Sequence, residues 1–379
     1  ETWFLIIAKF IGMMFVFSCV NSQLGYFEVL NNQMVNILLA LICSIILAAT
    51  SGMNVWTVLT ENYMPGFSSF ITANFLVFLA GALFGKFMND SHAADAIANW
   101  IVKKLGASKA VLAVVLSCFV LCYGGVSVFV VGFTIFPIAI SLFKEADLPR
   151  NMLPATIGFG SITFAMTCPG TPQIQNIIPT QTLGTTTMSG AVIGIIAGIF
   201  MFIVGYIWLN QMIKKEVSKG NHFVAKEGEE TVQLSEDEMP NVGLSFVPLI
   251  VTIVLMNALK VPAAVAIFIS IVIGVVLLNK TYKPTMIAGT FAGGATSAIG
   301  AIANTSAVVG FGSVVKAIPL FQTILDAMLS IPGPALVGAA IAVTVICGLT
   351  GSASGGLGIA IPLVGPTYVE MGVAPAALH

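Results

Sequence analysis

Residues 107 to 143 form a run of 37 whose one charge, Lys109, stands near its start, and no other feature limits the possible folds so strongly. As a single helix rising 1.5 Å per residue it would be about 55 Å long, nearly twice the ~30 Å hydrocarbon thickness of a bilayer. The run must fold back on itself, and "CYGGVSVF", Cys122 to Phe129, marks the place. A second run, 333 to 364, has no charge and turns at "CGLTGSASGGLG", Cys347 to Gly358. Neither turn carries a charge or a long polar loop, which favours re-entrant hairpins with tips held inside protein over spans joined in water. Geometry alone leaves two short spans open at each place.

The rest of the chain agrees with a membrane setting. Hydrophobic residues make up 57% of the 379 and charged residues 8%, against about a quarter charged in a soluble domain. Stretches of about 20 apolar residues, the length needed to span a bilayer, recur at about 3 to 20, 33 to 50, 66 to 88, 152 to 182, 188 to 210, 243 to 258, 262 to 279 and 285 to 316. The first of them has no small-residue cleavage site after it and reads as a span, not a signal peptide. The chain is expected to be an all-α polytopic membrane protein. A net charge of -1 argues against nucleic acid as a partner. Six cysteines, Cys19, Cys43, Cys118, Cys122, Cys168 and Cys347, lie in apolar segments without metal-ligand spacing and read as buried free thiols.

Both long runs sit in similar surroundings. "FGKFMNDSHAADAIANWIVKKLGASKAVLAVVL" leads into the first, with Ile97, Trp100, Ile101 and Leu105 expected on one helix face, and "FGSVVKAIPLFQTILDAMLSIPGPALVGAA" repeats the order roughly 227 residues later. After the runs, "PIAISLFKEADLPRNML" answers to "PLVGPTYVEMGVAPAAL". This is an internal duplication, frequent among secondary transporters. Placing the polar linker 211–242 in the cytoplasm puts twelve of the fifteen basic residues inside, leaving Lys260 and Lys316 outside and Lys9 in a span. That bias satisfies the positive-inside rule and makes the repeats inverted. The expected organisation is a first repeat, 1–210, with hairpin 107–143, broken helix 152–182 and linking span 188–210. The cytoplasmic linker 211–242 follows, then a second repeat, 243–379, with hairpin 333–364. By analogy with Pro154 to Thr180, the second repeat's own broken helix would lie beyond His379. The acidic residues of the linker, Glu227 to Glu238, read as solvated.

The chemistry is expected where apolar helices are interrupted. In "TCPGTPQIQN", Thr167 to Asn176, Pro169 and Pro172 remove two backbone donors, so the helix should unwind around Cys168 to Thr171. Unwound backbone at this depth needs protein or a wet cavity around it. The half-helix starting near Thr171 to Gln173 would offer free N–H groups to an anion, and the half ending near Met166 carbonyls to a cation. The substrate-binding candidates here are Thr167, Gly170, Thr171, Gln173, Gln175 and Asn176; a proline-kinked span satisfied by neighbouring helices is the plainer alternative. At the two turns the candidates are Gly124, Gly125, Ser127, Thr350, Ser352, Ser354, Gly355 and Gly356, although any one glycine could serve close helix packing alone. "GGATSAIGAIANTS", Gly293 to Ser306, reads as a packing surface. Asp90 and His92 read as caps of the amphipathic helix that follows them. With no HExxH and no acid pair within a span, neither catalytic nor metal-binding residues are expected, and no cofactor beyond a coupling cation.

The chain resembles the gluconate:proton symporter family of bacterial carboxylate permeases, within the ion-transporter superfamily of inverted-repeat carriers. The likeness rests on "FGKFMNDSHAADAIANWIVKKLG" followed by "AVLAVVL", on "CPGTPQIQNIIP", on "LSEDEMPNVGLSFVPLIVTIVLM" and on "SASGGLGIAIPLVGPTYVEMGVAPAALH". The resemblance implies a multi-pass protein of the bacterial inner membrane, cation-coupled uptake of a small hydroxy or sugar acid, and a homodimer whose scaffold holds mobile transport domains, surrounded by membrane lipid. Gluconate permeases of this type tend to carry a histidine- and proline-rich break. Here it reads "TCPGTPQIQN", so gluconate, hydroxybutyrate or a citrate-like hydroxycarboxylate are all open. The coupling ion implied is a proton; sodium is the alternative, because hydroxyls and carbonyls suit it. A passive anion channel and a membrane scaffold or sensor without flux are the competing readings.

Overall fold

A computed structural model describes residues 33–166, 168–225, 238–318, 334–350 and 353–379, and every regular element among them is helical. The first expected span, 3 to 20, and most of the acidic part of the linker lie outside the described residues. Helix α1 runs Gln33–Thr50 and α2 Val55–Asp90, the latter with a π turn at Leu59–Tyr63. The amphipathic α3, Ala93–Leu105, is followed by α4, Ala110–Tyr123, at an angle of 102°. Then come α5, Val128–Glu145, α6, Leu153–Gly158, and α7, Ile174–Leu183. Helix α8 is Ala191–Ser218, α9 Val242–Asn257, α10 Ala263–Leu277 and α11 Ile287–Ala317. The chain ends with α12, Ala335–Thr350, α13, Ala353–Glu370, and α14, Pro375–Leu378. Helices α2, α8 and α11 are each long and apolar enough to cross a bilayer.

Both long apolar runs fold back on themselves. Helix α4 packs on α5 across the turn Gly124–Ser127, and α12 packs on α13. Each pair closes with the same device. At the end of α5, Leu148 N–H donates to the Phe143 carbonyl (2.8 Å) and Asp147 N–H to that of Lys144 (3.3 Å), with Asp147 at φ 51°. At the end of α13, Val373 N–H donates to Tyr368 (3.0 Å) and Gly372 N–H to Val369 (2.9 Å), with Gly372 at φ 88°. These are two Schellman caps, and their left-handed residues, Asp147 and Gly372, close two helix pairs in the same way.

The helices gather into two compact units. One takes the described residues up to Phe78, Ile177–Ser189 and Ser297–His379; the other takes Leu79–Asn176 and Gly190–Thr296. Each draws on both halves of the chain. The core of the first is built from α1, α2, α11 and α13, around Leu47, Val58, Tyr63, Phe311, Val364 and Tyr368. Small residues bring its helices together: a Cβ on Gly312 would overlap the Ile359 side chain, and one on Gly358 would stand 3.0 Å from the ring of Phe70.

In the second unit, Phe84, Phe87, Ile97, Leu121, Ile135 and Tyr282 are fully buried, and Phe87 meets Tyr282 edge-on at 5.0 Å. Helix α3 does not present the expected face. Ile97 and Ile101 are buried together with Ala93, Ala94 and Ala98, but Trp100 is 44% exposed. Positions 97 and 101 lie one turn apart and share a face, and small alanines allow the helix to approach its neighbours more closely than a Trp would. The indole instead lies edge-on to Phe246 at 5.9 Å, with the Lys104 ammonium 5.9 Å from its centroid.

Candidate functional site

The described residues from Phe164 to Gln173 are turns, bends and irregular backbone, so helix gives way earlier than the two prolines require. Its first half already loosens into a π turn at Phe159–Thr163, a form found often at functional sites. The local cause is close packing. Gly160 sits against α4, and a Cβ there would stand 2.6 Å from the Val115 carbonyl oxygen and 2.8 Å from Cys118 Cβ. After the break the chain resumes as α7.

Three side chains fasten this break to the α4–α5 turn and a fourth ties it to α9, all within the second unit. Thr171 Oγ1 donates to the Tyr123 carbonyl (3.2 Å), and Gln173 Nε2 donates to the carbonyls of Cys122 (2.7 Å) and Val126 (3.1 Å). In return the Tyr123 hydroxyl donates to the Pro169 carbonyl (3.0 Å). Asn257 Nδ2, at the end of α9, donates to the Gly170 carbonyl (2.9 Å). Within the break, Asn176 Nδ2 donates to the Thr171 carbonyl (3.0 Å). Carbonyls orphaned at the end of α4 and along the break are thereby satisfied by protein, as a buried interruption demands.

Shape holds the two pieces in register. Gly125 adopts φ +104°, and a Cβ there would stand 2.8 Å from Pro172 Cγ; one on Gly124 would stand 2.5 Å from Leu249 Cδ2. Gly124, Gly125, Gly170, Thr171 and Asn176 are buried, and Ser127, Gln173 and Gln175 are partly so. Gln173, the residue just before α7, reaches Val126, two residues before α5 begins. The N-termini of α5 and α7 are therefore neighbours. The first N–H groups of a helix have no partner within it, and the aligned peptide dipoles place about half a positive charge at each such end. Ser127, the N-cap of α5, makes no capping bond with its side chain, and Gln175 Oε1, in the first turn of α7, is buried without a partner.

The eight residues Gly124, Gly125, Ser127, Gly170, Thr171, Gln173, Gln175 and Asn176 thus share one neighbourhood. Ser354, Gly355 and Gly356 belong to the other unit, at the start of α13, where Gly356 leaves room for α12: a Cβ would meet Cys347 Cα at 2.5 Å. Thr350 is the last residue of α12. Thr167 and Ser352 lie outside the described residues. Sequence reasoning passed over Tyr123 and Asn257, which complete the clamp. Asn257 was findable as the single amide ending an otherwise apolar helix; Tyr123 stands beside the marked glycines, but nothing in sequence said that its hydroxyl crosses to Pro169.

The expected capping by Asp90 and His92 is not what forms. His92 occupies the N-cap position of α3 at φ 57° without a side-chain cap bond, and its Nδ1 lies 3.1 Å from Asp95 Oδ2. The ring is engaged by the Asp95 carboxylate in the first turn of the helix and not by a backbone N–H. Asp90 instead bridges helices: Lys86 Nζ donates to Oδ1 (2.7 Å) and Thr290 Oγ1 to Oδ2 (2.6 Å), tying α2 to α11 within the second unit. Among the described residues, no three His, Cys, Asp or Glu side chains gather as a metal site.

The family model for GntP family permeases matches residues 26–264. A Bacillus subtilis protein described as an uncharacterized transporter, YxjC, is 32% identical over 388 residues, which spans 90% of this chain and 82% of that protein. A Haemophilus influenzae protein described as an uncharacterized transporter is 29% identical over 198 residues, 52% of this chain and 45% of that protein. These likenesses point to transport, not to an enzymatic reaction. A multi-pass helical chain with its membrane helices interrupted beside one another, matched over most of its length in this way, belongs to the GntP permease family of secondary transporters.

Proposed function

We propose that this permease moves a small organic acid, gluconate, hydroxybutyrate or a related hydroxycarboxylate, together with a cation. The observation that carries the reading is the meeting of two helix N-termini at the break, with no acidic side chain among the residues that form it. Two half-charges of the same sign, buried where water cannot screen them, favour a carboxylate. The substrate's anionic group would lie at the starts of α5 and α7, with Ser127 and Gln175 reaching its hydroxyls. Thr171, Gln173 and Asn176 hold the frame through their donors. In this reading the coupling ion is a proton, by family likeness. Sodium is the second reading, favoured by the neutral oxygens at the break. The remaining parts of the proposal are a homodimer in the bacterial inner membrane, inverted repeats with re-entrant hairpins, and elevator-type motion of hairpin domains against a scaffold.

The test is uptake of radiolabelled acids into proteoliposomes, with and without sodium, at two external pH values. Ser127→Ala and Gln175→Leu are expected to cut the initial rate tenfold or more while leaving the unfolding temperature close to wild type, since each removes about one hydrogen bond to the substrate, with 1.4 kcal/mol equal to a factor of ten. Unchanged uptake in both variants would remove the site.

A further inference from the structure

A second feature lies away from the break. A cavity of about 660 Å³ opens among the start of α4, the end of α5 and the last turns of α8, with Lys109, Glu145, Tyr206, Asn210, Lys214 and Ser218 in its wall. All of these belong to one compact unit. Helix α8 has 28 residues, about 42 Å at 1.5 Å each, so its last turns stand beyond a ~30 Å hydrocarbon layer. The cavity is therefore at the membrane boundary, with Tyr206 and Trp208 at the depth where aromatic side chains collect.

Its wall carries both signs of charge. Lys109, Lys214 and Glu145 form no ion pair among the described residues. A strip of exposed isoleucines leads to it along α8: Ile199 (55%), Ile203 (50%) and Ile207 (52%) follow at four-residue spacing, and Asn210 and Lys214 continue the same face. A ligand fitting these surroundings has an apolar tail, a phosphate for the lysines and a cationic end for the carboxylate. Basic pockets between membrane helices bind lipid headgroups by this chemistry.

We propose that this cavity holds the headgroup of a phosphatidylethanolamine, with its phosphate on Lys109 and Lys214, its ammonium on Glu145 and an acyl chain along the Ile199–Ile207 strip. The site is independent of the acid-binding reading. Delipidated full-length protein titrated with phosphatidylethanolamine or phosphatidylglycerol of equal chain length, and read by native mass spectrometry, tests it. Wild type should retain one phosphatidylethanolamine and prefer it over phosphatidylglycerol. Lys109→Gln with Lys214→Gln should weaken both lipids by an order of magnitude or more, at about 1 kcal/mol per basic contact, and Glu145→Gln should erase the preference. Equal retention of the two lipids by wild type, which needs no variant to fold, would overturn the proposal. So would soluble phosphoethanolamine binding as tightly as the lipid, since the strip would then contribute nothing.

Discussion

Gln173 makes two hydrogen bonds through one nitrogen, to carbonyls four residues apart at the end of α4 and the turn after it. Truncation removes the side-chain donor to the Val126 carbonyl and leaves the Cys122 carbonyl with backbone donors alone, such as the Gly125 N–H (3.1 Å); an acceptor left unpaired and not rescued by water costs about 1–3 kcal/mol. Gln173→Ala is therefore expected to lower the unfolding temperature in detergent and to reduce uptake. Gln173→Glu should do the same, because a carboxylate has nothing to donate and sets a negative charge between two carbonyl oxygens. Gln175→Leu, which removes an unpartnered oxygen, should leave stability unchanged or improve it. Opposite stability effects from neighbouring glutamines would separate frame from ligand contact.

Another residue-scale prediction concerns pH. The backbone N–H of Phe223 donates to Asp147 Oδ1 (3.2 Å), and His222 Nδ1 lies 2.8 Å from Oδ2. The Phe223 bond first, then His222, hold the Asp147 carboxyl below the usual carboxylate range. A folded pKa that is depressed adds stability above the unfolded value of about 3.9, and that contribution is lost as pH falls through the folded pKa. Protection of the Phe223 amide, measured against its intrinsic exchange rate at each pH, should accordingly fall on acidification below about pH 4, and Asp147→Asn should flatten that dependence. The pair is exposed, so the effect is local and global unfolding should not follow it.

At the scale of the element, the α4–α5 pair and the break behave as one clamped piece, and its glycines test that. Gly372 ends α13 at φ +88°, with nothing within 4 Å of where a Cβ would be. Gly372→Ala should cost about 1–2 kcal/mol from backbone conformation alone. Gly125 combines φ +104° with Pro172 Cγ at 2.8 Å from its would-be Cβ, so Gly125→Ala carries the same backbone cost plus displacement of the break. The larger fall in unfolding temperature, and the loss of uptake, should belong to Gly125. Equal effects would mean that turn and break are not coupled.

For the whole molecule, a carrier alternates its access and a channel does not. Proteoliposomes loaded with unlabelled acid should take up labelled acid faster than empty ones, and a lack of counterflow would favour a passive pore. The polar groups at the break are mostly satisfied by protein, so the break can remain folded as its surroundings change, a property any alternating carrier needs.

Much of this could be read from the chain alone. Hydrocarbon thickness and helix rise forced residues 107 to 143 to fold back, and glycine placement located the turn; proline chemistry placed the break. These follow from local covalent and length constraints, which do not depend on what lies across the fold. Tertiary structure alone decided which break meets which turn, that Tyr123 and Asn257 close the clamp, that Asp90 bridges to Thr290 instead of capping, and that Trp100 leaves the buried face of α3. Each of those is a contact between residues distant in sequence or a choice among packing faces. One-dimensional periodicity carries no distance across helices, so only the folded chain could supply it.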